Sequence, residues 1–257
     1  MESEQSSFFP LVSLRYARMR PPSATITLLL GVLCAGLPAL PARADMGPCR
    51  LDANEELTCG IGAGAARVID DTQSPNNKLA FAWRLPDADP AERPDEDDKI
   101  DLLLVRLKDG AILGQSFTGF WANGHGRSNN KLEEITWSRN SRLAVRVFQT
   151  QFATDSFELY ALDAKGELTG KLDLYKIVEP AVRAQTKGYV PPTDGYAFSV
   201  QAGKRLQLGN DGVLRLTVML WEPKDGPEKY FDVTLRIARK GPLDATIASI
   251  KPGRVPK

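Results

Sequence analysis

Histidine and cysteine are scarce in this chain of 257 residues. Its single histidine, His125, would have to serve every Ser-His-Asp or Cys-His mechanism and every histidine-based metal site. The three cysteines form no Cys-x-x-Cys pair and have no zinc-ligand spacing. The main apolar run, residues 24–37, is shorter than the roughly 20 residues of a membrane-spanning helix. These shortages predict a protein without metal or cofactor.

Clustered basic charge is missing as well. The chain carries 33 Lys and Arg against 32 Asp and Glu, and four of the basic and two of the acidic side chains lie in residues 1–44. Proteins that bind nucleic acid concentrate basic side chains on one surface to displace counterions. The near-neutral balance therefore argues against a nucleic-acid partner.

The first 44 residues have the order of a secretory signal, with three arginines, the apolar run 24–37 and a small-residue Ala-Arg-Ala site. We expect residues 1–44 to be a signal peptide cleaved after Ala44, with the true start at Met19, which leaves no membrane span. An uncleaved anchor and lipidation at Cys34 are the alternatives. The mature protein is predicted to be periplasmic or secreted.

Cleavage would leave an even pair of cysteines, Cys49 and Cys59, in an oxidising compartment. A disulfide between them is predicted. It would pin residues 45–64, which otherwise have little to bury, and would contribute on the order of 2 to 3 kcal/mol through the entropy of the unfolded chain.

Apolar residues recur at every second position in much of the mature chain, which is the period of a half-buried strand. The segments 143–147 and 231–237 show it clearly. Consecutive strands are expected to pair as antiparallel hairpins, in a single all-β domain over residues 65–257. A helix is expected only within 171–186, where Pro180 limits it. Turn sequences containing glycine separate the strands at 108–110, 164–166, 210–212 and 224–227.

The strand pattern also repeats along the chain. Residues 74–81 are echoed by 138–145, and residues 100–114 align without gaps on 156–170. Such self-similarity, with length differences confined to connecting loops, is typical of repeat architectures. Repeated antiparallel four-stranded units are predicted, with three approximate repeats at 65–114, 131–170 and 195–248.

The segment 136–144, TWSRNSRLA, followed by FELY at 157–160, resembles a blade of the TolB-type β-propeller, whose repeats read W-S-P-D-G-K-x-L-A before a strand. Arg139 replaces the proline of that motif, and Ser141 or Asn77 replaces its glycine. The resemblance implies a propeller-like arrangement. Propellers typically have four or more blades, and only three units can be counted here, so a β-sandwich is the alternative.

The polar connector 119–130 is the best candidate for ligand binding. Its aromatic, amide, imidazole and guanidinium groups suit contacts with carbohydrate or peptide, and loops carry function more often than framework strands. The candidate ligand-binding residues are Trp121, Asn123, His125 and Arg127. Glycines flank His125 and leave it unfit as a fixed general base, so no catalytic residue is assigned. The alternative is a hydrated connector with Trp121 packed inward.

Two loop patterns are interpreted as ordinary structure. Residues 60–65 match the glycine fingerprint of dinucleotide sites, but no clear strand precedes them and no helical pattern follows, so a connector is predicted. Residues 86–99 are rich in carboxylates that could bind calcium, but they lack the spacing of a calcium loop. A solvated loop is predicted there.

Two groups of strand residues are interpreted in the same way. The carboxylates of Glu133, Glu134 and Glu158 are expected to face solvent rather than to form the acid pair of a glycosidase. Core or inter-sheet packing is expected for Trp83, Trp137 and Trp221.

Together these features predict an exported, non-enzymatic binding or scaffolding domain. Its partner would be an envelope protein or glycan that contacts the connector 119–130. The alternative is a secreted hydrolase that uses carboxylates or His125 on the same β framework.

Overall fold

Antiparallel strands make up more than half of the residues that the computed structural model describes, which confirms the all-β fold class. The structure describes residues 46–89, 100–117, 132–149, 153–186, 197–201, 205–221 and 228–254. Within them the strands form three sheets, here called the first, the middle and the last sheet.

The first sheet contains six strands in chain order, each antiparallel to the next. The central strands bury almost every side chain rather than every second one, because both faces of this sheet are covered. The strands are β1 (Cys49–Leu51), β2 (Leu57–Cys59), β3 (Ala66–Val68), β4 (Leu79–Arg84), β5 (Asp101–Arg106) and β6 (Ala111–Gln115).

The middle sheet has four antiparallel strands in the order β10-β9-β8-β7. A short helix, α1 (Tyr175–Arg183), follows it. The strands are β7 (Leu132–Trp137), β8 (Leu143–Gln149), β9 (Thr154–Leu162) and β10 (Leu168–Asp173).

The last sheet has five strands. Its main path is β11-β13-β14-β15, and β12 pairs with the other end of β13, so that β11 and β12 together occupy one sheet edge. The strands are β11 (Ala197–Gln201), β12 (Gln207–Leu208), β13 (Val213–Trp221), β14 (Lys229–Ala238) and β15 (Asp244–Pro252).

The three sheets stack face to face, with the middle sheet inside. One of its faces, which includes Val145 and Leu159, shares a hydrophobic cluster with the last sheet and α1. Its other face, which includes Tyr160, shares a second cluster with Phe81 and Leu104 of the first sheet. Each fully buried Leu, Val or Phe contributes about 1.5 to 3 kcal/mol. Among the described residues no buried cluster joins the first sheet to the last.

The N-terminal ribbon β1–β2 closes the outer face of the first sheet. Cys49 and Cys59 lie directly opposite each other on these strands and form the predicted disulfide. The backbone N–H of Cys49 donates to the carbonyl of Leu107, 3.0 Å away, so the ribbon folds back onto the β5–β6 turn. The enclosed cluster contains alanines of β3 and β4, whose small side chains allow this close approach.

Short turns lie along one edge of the stack, here called the turn edge. Three of the predicted glycine turns occur there, and Gly110, Gly166 and Gly212 all adopt positive φ angles. The turn predicted at 224–227 lies outside the described residues. The opposite edge, here called the loop edge, carries the strand ends that are joined by the segments 90–99, 118–131, 150–152, 187–196 and 222–227.

Helix α1 confirms the helix expected within 171–186. Pro180 lies inside it rather than at its end. The missing N–H of a proline removes one hydrogen bond, but burial of Val178 and Val182 against the last two sheets offsets that loss. In the part of the chain that the structure describes, no helix is long and apolar enough to cross a bilayer.

The contact between Gly47 and Gly110 gives the first testable prediction. A Cβ on Gly110 would lie 2.0 Å from the carbonyl oxygen of Gly47, and the φ of Gly110 is +67°. Gly110→Ala should lower the free energy of unfolding by about 1 to 2 kcal/mol for the left-handed backbone, and by about 1 to 3 kcal/mol more for the clash. Urea unfolding measures both effects.

Gly241→Ala is the matched control, because Gly241 also has a positive φ, +88°, but nothing lies within 4 Å of its added Cβ. It should show the backbone effect alone. Equal losses of stability in the two variants would contradict a close approach of the ribbon to the β5–β6 turn.

Candidate functional site

The four predicted ligand-binding residues, Trp121, Asn123, His125 and Arg127, lie outside the described residues. The chain enters their segment after Phe117, directly beyond β6, and leaves it at Leu132, the start of β7. Both points belong to the loop edge. The site can therefore be built from the residues that hold these strand ends.

A buried polar cluster lies where β6 ends. It is here called the Glu158 cluster and comprises Ser116, Arg146, Ser156, Glu158 and Tyr160. The side chains of Arg146 and Glu158 are 0% and 1% exposed. These two residues lie directly opposite each other on β8 and β9. The middle sheet therefore carries a complete ion pair out of water.

Both carboxylate oxygens of Glu158 are held by donors. Its Oε1 accepts hydrogen bonds from the hydroxyls of Ser116 and Ser156, at 2.7 and 2.8 Å, and from the backbone N–H of Phe117 at 3.0 Å. The Tyr160 hydroxyl donates to Oε2. A buried carboxylate must be paired and hydrogen-bonded to remain charged, and here the donors come from two sheets.

Arg146 completes the network from the other side. Its Nη1 lies 3.5 Å from Oε1 of Glu158 and donates to the hydroxyls of Ser116 and Ser156, at 2.7 and 3.0 Å. Its guanidinium carbon also lies 5.4 Å from the ring centroid of Phe148, within cation–π range. Each serine thus accepts from the cation and donates to the anion.

The environment of the cluster keeps the Tyr160 phenol protonated. Burial, reinforced by the neighbouring Glu158 carboxylate, raises the pKa of the Tyr160 phenol above its ordinary value of 10.0. The phenol therefore stays protonated and remains a donor. Since three hydrogen bonds already occupy Oε1 of Glu158, the arrangement suits a structural anchor better than an acid or base that must exchange protons with a substrate.

Phe117 and Lys171 lie at the surface beside the cluster. The Phe117 side chain is 56% exposed, and the Lys171 ammonium is 3.4 Å from its ring centroid. Lys171 also donates to the backbone carbonyl of Gln115. Burial lowers the pKa of Lys171 below 10.5. An aromatic face and a cation thus stand at the base of the segment 118–131.

The structure corrects the expectation that Glu158 faces solvent. Alternation along β8 and β9 places Arg146 and Glu158 on the polar side of their strands, but that side packs against the first sheet. Glu134 on β7 is half-buried. The signal that could have identified the cluster is the pair of opposite charges on two strands predicted to be neighbours.

The predicted tryptophan packing is confirmed for Trp83 and Trp137. Trp83 is buried in the cluster between the first and middle sheets. Trp137 packs against the same cluster, and its indole N–H donates to the carbonyl of Thr72, 2.9 Å away. Trp221 is half-buried at the end of β13.

The glycine segment 60–65 connects β2 to β3, and no helix follows it. The expectation that no strand precedes it is wrong, because β2 ends at Cys59. Since a strand lies on each side of it, the segment is a connector, as predicted.

Most of the acidic segment 86–99 lies outside the described residues. Within the described residues, no group of three or more His, Cys, Asp or Glu side chains could hold a metal ion.

No protein-family model matches the chain, and no curated protein matches it. The resemblance to TolB-type repeats therefore stays a prediction based on the sequence segments that show it. The site must be interpreted from its own chemistry.

The buried ion pair gives a stability prediction. Arg146→Met should lower the free energy of unfolding by about 3 to 5 kcal/mol, because it leaves the Glu158 carboxylate buried without its cation. Adding Glu158→Gln should restore part of the loss, since the second change removes the unpaired charge. Urea unfolding of both single variants and the double variant measures the coupling.

Lys176→Met is the control for removing a cation from an ion pair. The pair of Lys176 with Asp173 is at the surface, with Lys176 81% exposed, and its loss should change stability little. If the changes at Arg146 and Glu158 had additive effects on the free energy of unfolding, the two side chains would not be coupled. That result would refute the buried ion pair.

The raised pKa of Tyr160 predicts a loss of stability at alkaline pH. Above pH 10 the phenol ionises in the unfolded state but not in the folded state, so the free energy of unfolding falls by up to about 1.4 kcal/mol per pH unit. Tyr160→Phe should show a shallower fall between pH 10 and 11. Denaturant unfolding at several pH values compares the slopes, and identical slopes would contradict the burial of this phenol.

Proposed function

We propose that this chain is an exported, non-enzymatic binding or scaffolding domain that contacts its partner through the loop edge. The observation that carries the proposal is the difference between the two edges of the stack: two long connections between strands, 85–100 and 116–131, begin and end at the loop edge. Binding residues are commonly presented by loops on a rigid scaffold. The partner class that fits is an envelope protein or glycan.

The Glu158 cluster supports this proposal because it fixes the base of the segment 118–131. Ser116 and Phe117, the last described residues before that segment, are both hydrogen-bonded to the buried carboxylate. Binding is favoured when the anchor points of a loop are already held in place, since less entropy is lost when the partner is bound.

The side chains around this base have suitable chemistry. The exposed ring of Phe117, with Lys171 against it, lies where the chain enters the segment whose sequence contains the proposed contacts Trp121, Asn123, His125 and Arg127. Aromatic faces pack against sugar rings and apolar side chains, while amides and guanidinium groups supply directed hydrogen bonds. This combination favours a neutral or mildly acidic glycan or peptide.

For the architecture, we propose that the three sheets correspond to propeller-like blades of TolB type. Two observations favour this over a sandwich: three consecutive antiparallel sheets, rather than two, pack face to face, and Asn77 and Ser141 adopt positive φ angles, 53° and 57°, at the positions where the family motif has glycine. A β-sandwich remains the alternative arrangement.

We propose that the protein is exported from the cytosol. The disulfide between Cys49 and Cys59 supports it, because such bonds persist in oxidising compartments. The periplasm or the exterior of the cell is the proposed location, with residues 1–44 acting as the signal.

Deleting residues 122–129 tests the function. The variant should keep the near-UV circular dichroism spectrum and unfolding midpoint of the wild type, because the Glu158 cluster lies outside the deletion. It should lose retention of a ligand from an envelope extract and binding to an array of envelope glycans. Replacing the four candidate residues by alanine should have the same effect.

Deletion of residues 91–98, a segment of equal length at the same edge, is the control and should leave binding unchanged. Retention that survives the 122–129 deletion would refute the proposed contact surface. The hydrolase alternative predicts turnover of an envelope-derived substrate by the wild type, and loss of turnover in His125→Ala would assign it to that residue.

A further inference from the structure

The sheets meet in two similar junctions along the turn edge. At the first junction the backbone N–H of Asn76 donates to the hydroxyl of Ser141, at 3.2 Å. At the second the N–H of Asn140 donates to Oδ1 of Asn210, at 3.0 Å. Equivalent turns thus approach the next sheet through the same kind of backbone contact.

An ion pair fills the first junction. Nη1 of Arg106, at the end of β5, lies 2.6 Å from Oε1 of Glu167 in the β9–β10 turn. Nε of the same guanidinium lies 3.0 Å from Oδ1 of Asp109. The cation between the first and middle sheets is therefore neutralised within the protein.

The second junction contains an open cleft instead. Its volume is about 610 Å³, within the usual range for small-molecule sites. The buried side chains of Leu162 and Ile237 contribute to its lining. Three basic residues also line it, from two sheets: Arg142, Arg239 and Lys240.

The acidic residues of the cleft are already engaged by their own turns. Oδ1 of Asp163 accepts the N–H groups of Lys165 and Glu167, at 2.8 and 2.9 Å, and these backbone bonds lower the pKa of Asp163 below 3.8. Oδ1 of Asp211 accepts the N–H of Val213 at 3.1 Å. Both carboxylates are hydrogen-bonded to their own turns, and within the described residues neither forms an ion pair with the basic side chains, so the lining carries three basic groups against two acidic ones.

The basic side chains lack such partners. Within the residues that the structure describes, those of Arg142 and Lys240 make no ion pair or hydrogen bond, and Arg239 makes one long hydrogen bond, 3.4 Å, to the carbonyl of Asn210. Guanidinium groups bind carboxylates and phosphates through paired N–H donors. The cleft thus offers N–H donors to the oxyanion of a ligand. In the first junction the carboxylates of Glu167 and Asp109 already pair with the guanidinium of Arg106.

We propose that the cleft between the middle and last sheets binds a small ligand through its phosphate or carboxylate group. Arg142 and Arg239 hold the oxyanion, Lys240 adds charge, and the apolar floor accommodates the body of the ligand. The site lies at the edge opposite to the proposed partner surface and does not depend on it, so either can fail alone.

Titration with inorganic phosphate and with D-glucuronate tests the site, at one fixed ionic strength and followed by amide NMR shifts. The wild type should bind at least one anion saturably, with shifts centred on Arg142, Thr169 and Lys240. Binding of phosphate alone identifies a phosphate ligand, and binding of glucuronate alone identifies a carboxylate ligand. Binding of neither would overturn the proposal.

Arg142→Gln combined with Arg239→Gln should weaken binding at least tenfold, and Lys240→Gln alone should weaken it severalfold, which keeps the test valid if the double variant unfolds. The control is Lys78→Gln combined with Lys108→Gln, which removes two exposed cations from the connections that precede β4 and follow β5. It should bind like the wild type. An equal loss in the control would show non-specific electrostatic attraction and would overturn the site.

Discussion

Arg146 and Glu158 are almost fully buried in the middle sheet, and part of the hydrogen bonding that satisfies their charges comes from the end of β6. Removing one partner of such a pair costs far more than the pair contributes. A stack with the first sheet displaced by one strand or one residue would leave the carboxylate without Ser116 and the N–H of Phe117. Burial of these two charges therefore depends on the position of the first sheet relative to the middle sheet.

Different polar contacts hold the two edges of the stack. At the turn edge the same hydrogen-bond pattern occurs twice. The hydroxyls of Ser74 and Ser138 each donate to the side-chain oxygen of the asparagine two residues later, and each accepts from the backbone N–H that begins the following strand. Among the described residues of the loop edge no such repetition occurs, and the Glu158 cluster holds one of its strand ends directly. A framework fixed in this way can carry connections of differing length and composition without a change in sheet packing.

Local features were accessible from the sequence, whereas the stacking order was not. Alternation and glycine turns predicted the strands, and the redox argument predicted the bond between Cys49 and Cys59. The same alternation misplaced Glu158, because a period of two indicates two faces but not what covers the second one. The cleft at Arg142 was equally hidden, since it depends on which turns become neighbours.

Helix α1 is a second feature that the sequence predicted only in part. Pro180 predicted a restricted helix, and the helix is indeed short, but the residue lies inside it because buried neighbours outweigh one missing hydrogen bond. Packing energy of this kind is a property of the assembled stack and leaves little trace in a local pattern.

The N-terminal ribbon makes the two outer faces of the stack different. The strands β1 and β2, joined by a disulfide, fold over the outer face of the first sheet. The outer face of the last sheet has no such clasp among the described residues. The covalent bond therefore restrains one outer face of the stack, whereas the other face, among the described residues, relies on packing and hydrogen bonds alone.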